Sequence, residues 1–335
     1  QFHASSYQMP CPYGVVLVMS PWNYPFMLTV DPLIDAIAAG NTVMVKPSAY
    51  SPYTSQIIEE ILTNVFPKEY VSVILGGRKE NQALLEEKFD YIFFTGSPYV
   101  GHEVMSKASV HLTPVTLELG GKSPCIVDET ANIKLAARRI VFGKYLNLGQ
   151  TCVAPDYIYV HTSVKDKLIH EVIQEIKRQY QDLSSYGKII NEKHFDRISK
   201  LLDPNKIVYG GKTNRETLKI EPTIMDNVSW DDAVMQEEIF GPIMPILTFT
   251  DFEDCINIIK EKPSPLALYL FSSNKTRVDM VTHSVPYGGG CINDTIIHLA
   301  TSNMPFGGVG NSGMGGYHGK EGFKTFTHYK SIVDK

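Results

Sequence analysis

The sequence predicts an α/β fold in which a doubly wound, mostly parallel sheet is followed by a second α/β domain. Short apolar runs typical of buried strands alternate with stretches of helical periodicity through the first third of the chain. The length of 335 residues is enough for about two domains. The stretch ELGGKS interrupts the alternation. We therefore expect domains at 1–120 and 121–310, followed by a C-terminal segment at 311–335.

The individual elements follow from apolar periodicity and from turn residues. Up to Asp128 we predict strands at VVLVMS, TVMVK, YVSVIL, DYIFFTG, PVTLEL and SPCIVD, and helices at DPLIDAIAAG, SPYTSQIIEEILTNVF, ENQALLEEK and SPYVGHEVMSKAS. Asp31 is expected to cap the first helix, with Pro32 in its first turn and Gly40 just past its end. Farther on, IKLAARRIVFGKYL and VKDKLIHEVIQEIKRQY predict helices, and PIMPILTF, LALYLFS and GGCIND predict strands.

Composition excludes several classes of function. The net charge is −5 and no basic run is interleaved with aromatic residues, which argues against a nucleic-acid partner. No apolar stretch reaches the roughly 18 residues of a membrane-spanning helix. The five cysteines are scattered and form no C-x-x-C pair, which argues against a disulfide framework and a metal site. Free thiols are typical of a reducing compartment, so we expect a cytoplasmic protein.

One apparent nucleotide motif is rejected. Gly308, Gly310 and Gly313 match G-x-G-x-x-G, but such a fingerprint needs a strand before it and a helix after it. The match lies in a glycine-rich stretch, 305–319, that predicts a loop.

FFTGSPYVG is a better candidate for a phosphate-binding turn. An apolar strand runs into Gly96 and Ser97 ahead of a helix, whose free N–H groups and dipole favour a phosphate. An ordinary turn capped by Ser97 explains the same residues. Lys46 ends another strand, where ligands of parallel sheets bind, although a solvated lysine is the more common outcome at such a position.

Two polar residues stand in unusual surroundings. Asn23 lies in SPWNYPF, where flanking prolines fix the loop, so its amide is suited to donating to an oxyanion. An Asx-turn residue is an equal alternative. Glu118 is a carboxylate in the apolar strand LEL, which is costly unless the group is paired or useful as a base. A salt bridge at the strand end is the alternative.

Two further stretches remain open on local grounds. Glu237, Glu238 and Phe240 in EEIFGP suit sugar hydroxyls and a stacked ring, or a solvated loop with its phenylalanine in the core. Cys152 in NLGQTCVAP has no metal-ligand neighbours at short spacing. A nucleophile and a small core residue fit it equally well.

Taken in order, PWNYP, VKPS, FTGS, LELGGKSP, GQTCVAP and EEIFGP resemble the aldehyde dehydrogenase superfamily. The closing run NDTIIHLATSNMPFGGVGNSGMGGYHGKEGFKTFTH resembles its class 3-like branch of fatty-aldehyde and aromatic-aldehyde dehydrogenases. The likeness covers essentially the whole chain. Family members have a further N-terminal stretch before GVVLVM, so we expect this chain to lack that segment.

The resemblance implies an aldehyde dehydrogenase-like fold with a Rossmann-like first domain, and oxidation of an aldehyde to its acid through a thiohemiacetal and a thioester on Cys152. Asn23 and the Cys152 N–H would form the oxyanion hole, and Glu118 would be the general base. The implied cofactor-binding residues are Trp22, Lys46, Ser48, Gly96, Ser97, Glu238 and Phe240. We expect the pocket for a medium-chain aliphatic or aromatic aldehyde to include Tyr24, Tyr145 and Ile297.

The resemblance implies NAD or NADP as the cofactor, and one departure bears on the choice. Where the family often has a glutamate for the ribose 2′-hydroxyl, this chain has Ala49. Since a carboxylate there would repel a 2′-phosphate, we expect NADP to be accepted or preferred.

The resemblance further implies a homodimer in which the C-terminal segment takes part. Other functions remain in competition: a dehydrogenase that passes its thioester to coenzyme A, and a catalytically silent relative or fragment with a structural role. The presence of Glu118 disfavours the first, because acylating enzymes need no base there. An intact set of Cys152, Asn23 and Glu118 disfavours the second.

Overall fold

The computed structural model describes residues 3–335, and its alternation of strands and helices confirms the α/β fold class. The described chain divides into two compact units. Unit 1 takes in the residues up to Leu119 together with Thr301–Gly307 and Gly313–Lys335, and unit 2 takes in Gly120–Ala300 and Gly308–Ser312. The C-terminal segment thus groups with unit 1.

The strands are numbered in chain order. They are β1 (Ser5–Pro12), β2 (Val15–Met19), β3 (Thr42–Lys46), β4 (Val71–Val73), β5 (Tyr91–Thr95), β6 (Val115–Glu118), β7 (Pro124–Val127), β8 (Tyr157–His161), β9 (Ile207–Tyr209), β10 (Thr213–Asn214), β11 (Lys219–Ile220), β12 (Thr223–Met225), β13 (Ile243–Phe249), β14 (Ala267–Phe271), β15 (Gly289–Ile292), β16 (Gly313–Met314) and β17 (Thr327–Asp334).

The α-helices are likewise numbered in chain order. They are α1 (Met27–Ala38), α2 (Pro52–Val65), α3 (Arg78–Glu86), α4 (Pro98–Ser109), α5 (Ile133–Tyr145), α6 (Lys165–Gln179), α7 (Glu192–Ser199), α8 (Ala233–Gln236), α9 (Phe252–Lys260), α10 (Lys275–Ser284) and α11 (Gly319–Thr325). Short 3₁₀ turns occur at Leu146–Gly149, Thr162–Val164, Ile297–Ala300 and Gly310–Ser312.

Unit 1 is built on a six-stranded sheet in the order β16-β6-β5-β2-β3-β4. Strands β2 to β6 are parallel to their neighbours, and only β16 is antiparallel. The order reverses at β2 and β5, which are adjacent although three helices separate them in sequence. The carboxyl ends of these two strands form the topological switch point, where open α/β sheets bind ligands.

Helix α1 corrects one predicted boundary. It begins at Met27, so Asp31 and Pro32 lie inside the helix and Asp31 is not its cap. A proline here removes one helical hydrogen bond. The helix continues because Thr29, Pro32, Leu33 and Ala36, at helical spacing, are all buried, and burial of this face outweighs the local signal. Gly40 follows the end of the helix with φ +89°, as predicted.

Two other features of unit 1 depart from expectation. The ends of the described chain pair as an antiparallel ribbon, with Ser5 opposite Asp334 and Pro12 opposite Thr327, although neither strand was predicted. The glycine-rich stretch contains β16, where Gly313 pairs with Glu118 of β6. No helix directly follows Gly313 in this described stretch, which agrees with rejecting the nucleotide fingerprint there.

Unit 2 is built on a seven-stranded sheet in the order β15-β14-β7-β8-β13-β12-β9. All neighbours are parallel except the edge strand β9. The amino ends of β7, β8 and β13 therefore lie side by side at one edge of the sheet. The segments that enter these strands are consequently neighbours in space, although they lie far apart in sequence.

Two kinds of feature are absent from residues 3–335. Within this range, no helix is long and apolar enough to cross a bilayer. The same residues contain no group of three or more His, Cys, Asp or Glu side chains placed to hold a metal ion.

Candidate active site

Cys152 lies in the loop between α5 and β8, after a run of left-handed backbone. Asn147, Leu148 and Gly149 have φ of 49°, 56° and 71°. A side chain at Gly149 would approach the Gly241 carbonyl oxygen to 2.4 Å, so glycine is required there. Positive φ at Asn147 and Leu148 costs about 1–3 kcal/mol each, and such strain is tolerated where the surrounding structure fixes the loop. The turn leaves Cys152 half-buried.

Gln150 is the residue that fixes this loop. Its side-chain amide donates to the carbonyl oxygens of Asn147 (3.2 Å) and Lys188 (3.3 Å) and accepts from the Ile190 N–H (3.0 Å). A buried amide with these partners is costly to replace, because each loss would leave a buried backbone group unsatisfied. The glutamine two residues before Cys152 therefore has a structural role in presenting it.

Asp156 ties the Cys152 loop to two other segments of unit 2. One carboxylate oxygen accepts the Ile239 N–H at 2.9 Å, and the other pairs with Lys122. The buried Lys144 donates to the Asp156 carbonyl oxygen at 3.4 Å, and burial lowers the pKa of Lys144 to about 8. Parallel strands with adjacent amino ends thus bring the loop of Cys152 beside the segment of Glu238.

The segment that carries Glu238 is braced through its backbone. Lys122 donates to the Glu237 carbonyl oxygen at 2.9 Å. Arg197 donates to the carbonyl oxygens of Glu238 (3.2 Å) and Ile239 (2.6 Å) and pairs with the Glu237 carboxylate (3.0 Å). Phe240 follows with φ +47°, a strained conformation for a non-glycine residue. These hydrogen bonds hold the backbone of the segment in place. The side chains of Glu238 and Phe240 are then the groups that the segment can offer to a ligand.

Glu238 is held in a setting that favours its neutral form. Burial, reinforced by Asp156, raises its pKa to about 8, against a hydrogen bond from the Gly121 backbone. A side chain at Gly120 would collide with the Glu238 carboxylate at 2.2 Å. The glycine pair of ELGG therefore accommodates Glu238.

We expect Lys122→Met to destabilise unit 2 by about 3–5 kcal/mol, because it leaves Asp156 as an unpaired buried charge. The side chain of Asp156 is only 4% exposed. Chemical denaturation measures the loss. Arg215→Met removes ion pairs with Glu192 and Asp196 in which every side chain is at least 44% exposed, so it should cost less than about 1 kcal/mol. Equal losses in the two variants would contradict the bracing role of Lys122.

In unit 1, Glu118 ends β6 as a buried, unpaired carboxyl group. It is 2% exposed, and neither carboxyl oxygen has a hydrogen-bond partner among residues 3–335. Burial raises its pKa well above the usual value, which favours the protonated form of the carboxyl group. The salt-bridge alternative for Glu118 is therefore not what the structure shows, and an unpaired buried acid is a recognised sign of a functional group.

The switch point of the unit 1 sheet collects four of the predicted residues. Trp22 and Asn23 follow the carboxyl end of β2, and Gly96 and Ser97 follow that of β5. A side chain at Gly96 would meet the Phe94 ring at 2.4 Å, so a residue without a side chain is favoured in this turn. Ser97 caps α4 by accepting the Val100 N–H at 3.4 Å. The position suits a nucleotide and also meets the simpler expectation of a capped turn.

Lys46 ends β3 and is buried rather than solvated. Its ammonium donates to the carbonyl oxygens of Pro47 (2.9 Å) and Gly76 (2.7 Å), and burial lowers its pKa. Ser48 accepts the Tyr50 N–H at 3.2 Å. Ala49 is exposed and lies next to the start of α3, where a side chain at Gly77 would meet its Cβ at 3.9 Å.

The three predicted pocket residues lie in different settings. Tyr24 is half-buried in the turn after β2. Ile297 is 51% exposed and follows Ile296, which has φ +52°. Tyr145 is 1% exposed, and its hydroxyl donates to the Thr223 carbonyl oxygen at 3.2 Å. We correct the prediction for Tyr145, which is a core residue of unit 2 because its phenol is satisfied inside the protein.

Sequence reasoning missed four residues that hold these segments. Lys122, Asp156 and Arg197 are ordinary charged residues by sequence, and Tyr269 lies in an apolar strand. Their side chains bond to partners 34 to 116 residues away, the farthest being the bond from the Tyr269 hydroxyl to the Val153 carbonyl oxygen. The one local signal was the position of Lys122. It directly follows a glycine pair, at the point where the alternation of strand and helix signals is interrupted.

Two α/β units, the first with polar groups at the switch point of a doubly wound sheet, are the arrangement in which open α/β sheets bind nucleotide ligands. Residues 2–332 match the model of the aldehyde dehydrogenase family. The chain belongs to this family, and it is an aldehyde dehydrogenase by class.

Individual relatives agree with this assignment. The chain is 52% identical to a 4,4'-diaponeurosporen-aldehyde dehydrogenase of Staphylococcus aureus, over 100% of this chain and 74% of that protein. It is 46% identical to a dimeric, NADP-preferring aldehyde dehydrogenase of Mus musculus, over 96% and 72%. A substrate-bound structure of Staphylococcus aureus AldH superimposes with a TM-score of 0.98 at 51% identity, over 100% and 74%.

Proposed function

We propose that this chain oxidises a medium-chain aliphatic or aromatic aldehyde to its carboxylic acid, with Cys152 as the nucleophile and NADP or NAD as the cofactor. Membership of the family supports aldehyde oxidation as the reaction. The observation that carries the residue roles is the buried, unpaired Glu118 at the end of β6, together with a strained loop that presents a half-buried Cys152.

In the proposed reaction the Cys152 sulfur attacks the aldehyde carbon and forms a thiohemiacetal. The side-chain amide of Asn23 and the backbone N–H of Cys152 donate to the oxygen as it gains negative charge. Each such donor typically contributes about 10²–10³-fold in rate. A nicotinamide dinucleotide bound by these residues would supply the hydride acceptor for this step, and Cys152 would then carry the acyl group as a thioester.

Glu118 completes the proposed reaction as the general base. Its ionised carboxylate takes a proton from water, and the resulting hydroxide attacks the thioester and releases the acid from Cys152. Because burial raises the pKa of Glu118, the group must lose its proton before it can act. A base with a raised pKa transfers protons efficiently near neutral pH.

The residues present fit a dinucleotide. Gly96 lies in the turn at the switch point, Ser97 caps a helix whose dipole favours phosphate, and Lys46 supplies a cation at a neighbouring strand end. We propose that Trp22 and Ser48 join these in holding the adenosine half. Glu238 and Phe240 would hold the ribose and ring of the nicotinamide half, where Glu238 with a pKa of about 8 can donate as well as accept.

We expect Ala49→Glu to shift cofactor preference from NADP towards NAD by about 10–100-fold in the ratio of kcat/KM values, because like charges brought together cost several kcal/mol. The ratio is measured with one aldehyde and both cofactors. Ala49→Gln is the matched control, since it has the same shape without the charge. An unchanged ratio in Ala49→Glu, or an equal shift in Ala49→Gln, would mean that residues other than Ala49 determine recognition of the ribose 2′-position.

A panel of aldehydes with NAD and NADP tests the proposed function directly. Short aliphatic, medium-chain and aromatic aldehydes and 4,4'-diaponeurosporen-aldehyde should be compared by kcat/KM, since one relative is named for the last of these. Acid formation with a medium-chain or aromatic preference supports the proposal. Acyl-coenzyme A formed on addition of coenzyme A would identify the acylating alternative, and turnover of none of them would identify a silent relative.

A homodimer and a cytoplasmic location complete the proposal. The β1–β17 ribbon supports a dimer, because a two-stranded sheet is at best marginally stable in water. Both of its strands are mainly exposed, with Tyr7, Met9, Tyr329 and Val333 among the exposed apolar side chains. One relative is named as dimeric, and the absence of paired cysteines supports a reducing compartment.

A further inference from the structure

Helix α11 packs against helix α1 within unit 1, and side chains at three positions hold the two helices together. Asn41, which follows α1, donates from its side-chain amide to the Phe326 carbonyl oxygen at 2.9 Å. Asp31 pairs with His318, the residue before α11, with Oδ2 and Nε2 3.6 Å apart. Asp35 lies between these two contacts, one helical turn after Asp31. The α1 residues at two of the three positions are therefore acidic.

The carboxyl group of Asp35 lies against the backbone of α11. A side chain at the buried Gly322 would collide with both of its carboxyl oxygens. The Oδ2 atom is buried and has no hydrogen-bond partner among residues 3–335. A carboxylate that is buried without a donor loses its hydration with no compensation. The contact with Gly322 therefore favours the neutral, protonated form of Asp35.

The charged groups around Asp35 reinforce this preference. Burial raises the pKa of Asp35 to about 7, and the neighbouring carboxylate of Asp31 adds to the rise. On α11, Glu321 and Lys324 pair with each other at 3.0 Å, and Lys320 is exposed. Within residues 3–335, no lysine, arginine or histidine forms an ion pair with Asp35. An ionised Asp35 would thus face a like charge without a compensating cation.

The other elements packed on α1 supply no compensating charge either. Helix α1 also packs on β2 and β3. Strand β2 contains no charged residue, and Lys46, the charged residue of β3, donates to backbone carbonyl oxygens instead. At the contact itself, burial lowers the pKa of His318, and Asp31 opposes the shift. The contribution of His318 to docking is therefore lost on acidification, which is the opposite of the dependence expected for Asp35.

We propose that Asp35 is a pH-sensitive latch, which docks α11 on α1 while its carboxyl group is protonated and weakens this contact when the group ionises. The sign follows from linkage. Because the pKa in the docked state lies above the usual value of 3.8, the contribution of Asp35 is complete below that value and is lost as pH rises through about 7. Helix α11 lies between β16, which pairs with the strand of Glu118, and β17 of the terminal ribbon, so the latch acts on the segment that joins them.

The test compares hydrogen–deuterium exchange of the α11 peptide in the wild type and in Asp35→Asn, whose side chain has the same shape but cannot ionise. Opening of α11 lets Asp35 release one proton, so the ratio of wild-type to variant exchange rates should rise about tenfold per pH unit between about pH 5 and pH 7 and then stay constant. Intrinsic exchange chemistry and the titration of His318 are common to both proteins and cancel in this ratio. A ratio that does not change over this pH range overturns the proposal.

Two controls show whether the effect belongs to this contact. Asp166→Asn removes a carboxylate that is 95% exposed in the first turn of α6, and it should leave the exchange of α11 unchanged at every pH. The amides of α2, in the same unit, report opening of unit 1 as a whole. The same pH-dependent ratio in Asp166→Asn, or an equal rise in the amides of α2 in Asp35→Asn, overturns the latch.

Gly322→Ala tests the contact from the other helix and remains informative if Asp35→Asn fails to fold. Alanine by itself favours a helix, but its methyl group would occupy the position of the Asp35 carboxyl group and displace it into solvent. At about pH 6 the protection of α11 should fall about tenfold, to the level of the wild type above pH 7. Wild-type protection in Gly322→Ala overturns the proposal. None of these measurements needs turnover, so they decide on the latch whether or not the chain oxidises an aldehyde.

Discussion

Cys152→Ser is expected to lower aldehyde oxidation by at least about 10⁴-fold, because a serine hydroxyl without an adjacent base is a far weaker nucleophile than a thiolate. The substitution changes one atom in a half-buried turn that Gln150 and Asp156 hold through other groups. The loop should therefore keep its conformation, and dinucleotide affinity should persist. Steady-state kinetics and a fluorescence titration with NADPH measure the two quantities.

Cys11→Ser is the matched control for this experiment. Cys11 is also partly exposed, but it lies in β1 of the terminal ribbon, so its replacement should leave turnover at the wild-type rate. Substantial oxidation by Cys152→Ser would exclude Cys152 as the nucleophile. Loss of NADPH binding along with activity would instead point to a collapsed loop.

Glu118→Gln is expected to release a burst of reduced cofactor and then stall at the acyl-enzyme. The substitution keeps the shape of the side chain but removes the base, and loss of general-base catalysis typically costs about 10²–10⁴-fold. Stopped-flow absorbance follows the burst, and mass spectrometry detects the acyl group on Cys152. Unchanged steady-state turnover would exclude Glu118 as the base, and a stall in Glu237→Gln instead would identify Glu237 as the base.

The pH dependence provides a second measurement of Glu118. Because burial raises its pKa, deacylation in the wild type should accelerate as pH rises and the carboxyl ionises. The raised pKa also means that the folded state binds this proton more tightly than the unfolded chain. Its contribution to stability is present below the unfolded pKa and is lost as pH rises through the folded value. Glu118→Gln should therefore gain thermal stability over the wild type with rising pH, which calorimetry at several pH values would show.

Much of unit 1 could be predicted because its signals are local. Apolar runs marked the parallel strands, Gly40 marked a helix end, and the step from a strand into Gly96 and Ser97 located a switch-point turn. The start of α1 was missed because burial of a complete helix face outweighed the capping signal of Asp31. The β1–β17 ribbon was missed because its pairing joins opposite ends of the described chain, which no local pattern encodes.

The residues of the candidate site likewise include some that a local sequence signal identifies and others that it does not. Glu118 could be singled out because a carboxylate in an apolar strand is locally anomalous, and Cys152 because it stands alone in a short loop. No local sequence signal distinguishes Asp156 or Tyr269. Their roles arise from strand order, which places β8 beside β13 and β14 beside β7, and strand order depends on the whole sheet. Tyr145 was misplaced for the converse reason, since an aromatic residue near Cys152 in sequence turned out to belong to the core.

The division of the chain has a consequence for biosynthesis. Unit 1 is completed by residues translated after almost all of unit 2. Phe93 of β5 packs against Tyr317 and Phe326, with ring centroids 5.0 and 5.6 Å apart. At about 5–20 residues per second, synthesis of the intervening residues takes on the order of ten seconds or more. During this time the aromatic surface of the first sheet stays uncovered. Unit 2 can fold first, and the nascent first sheet is the stage at which a chaperone would be most needed.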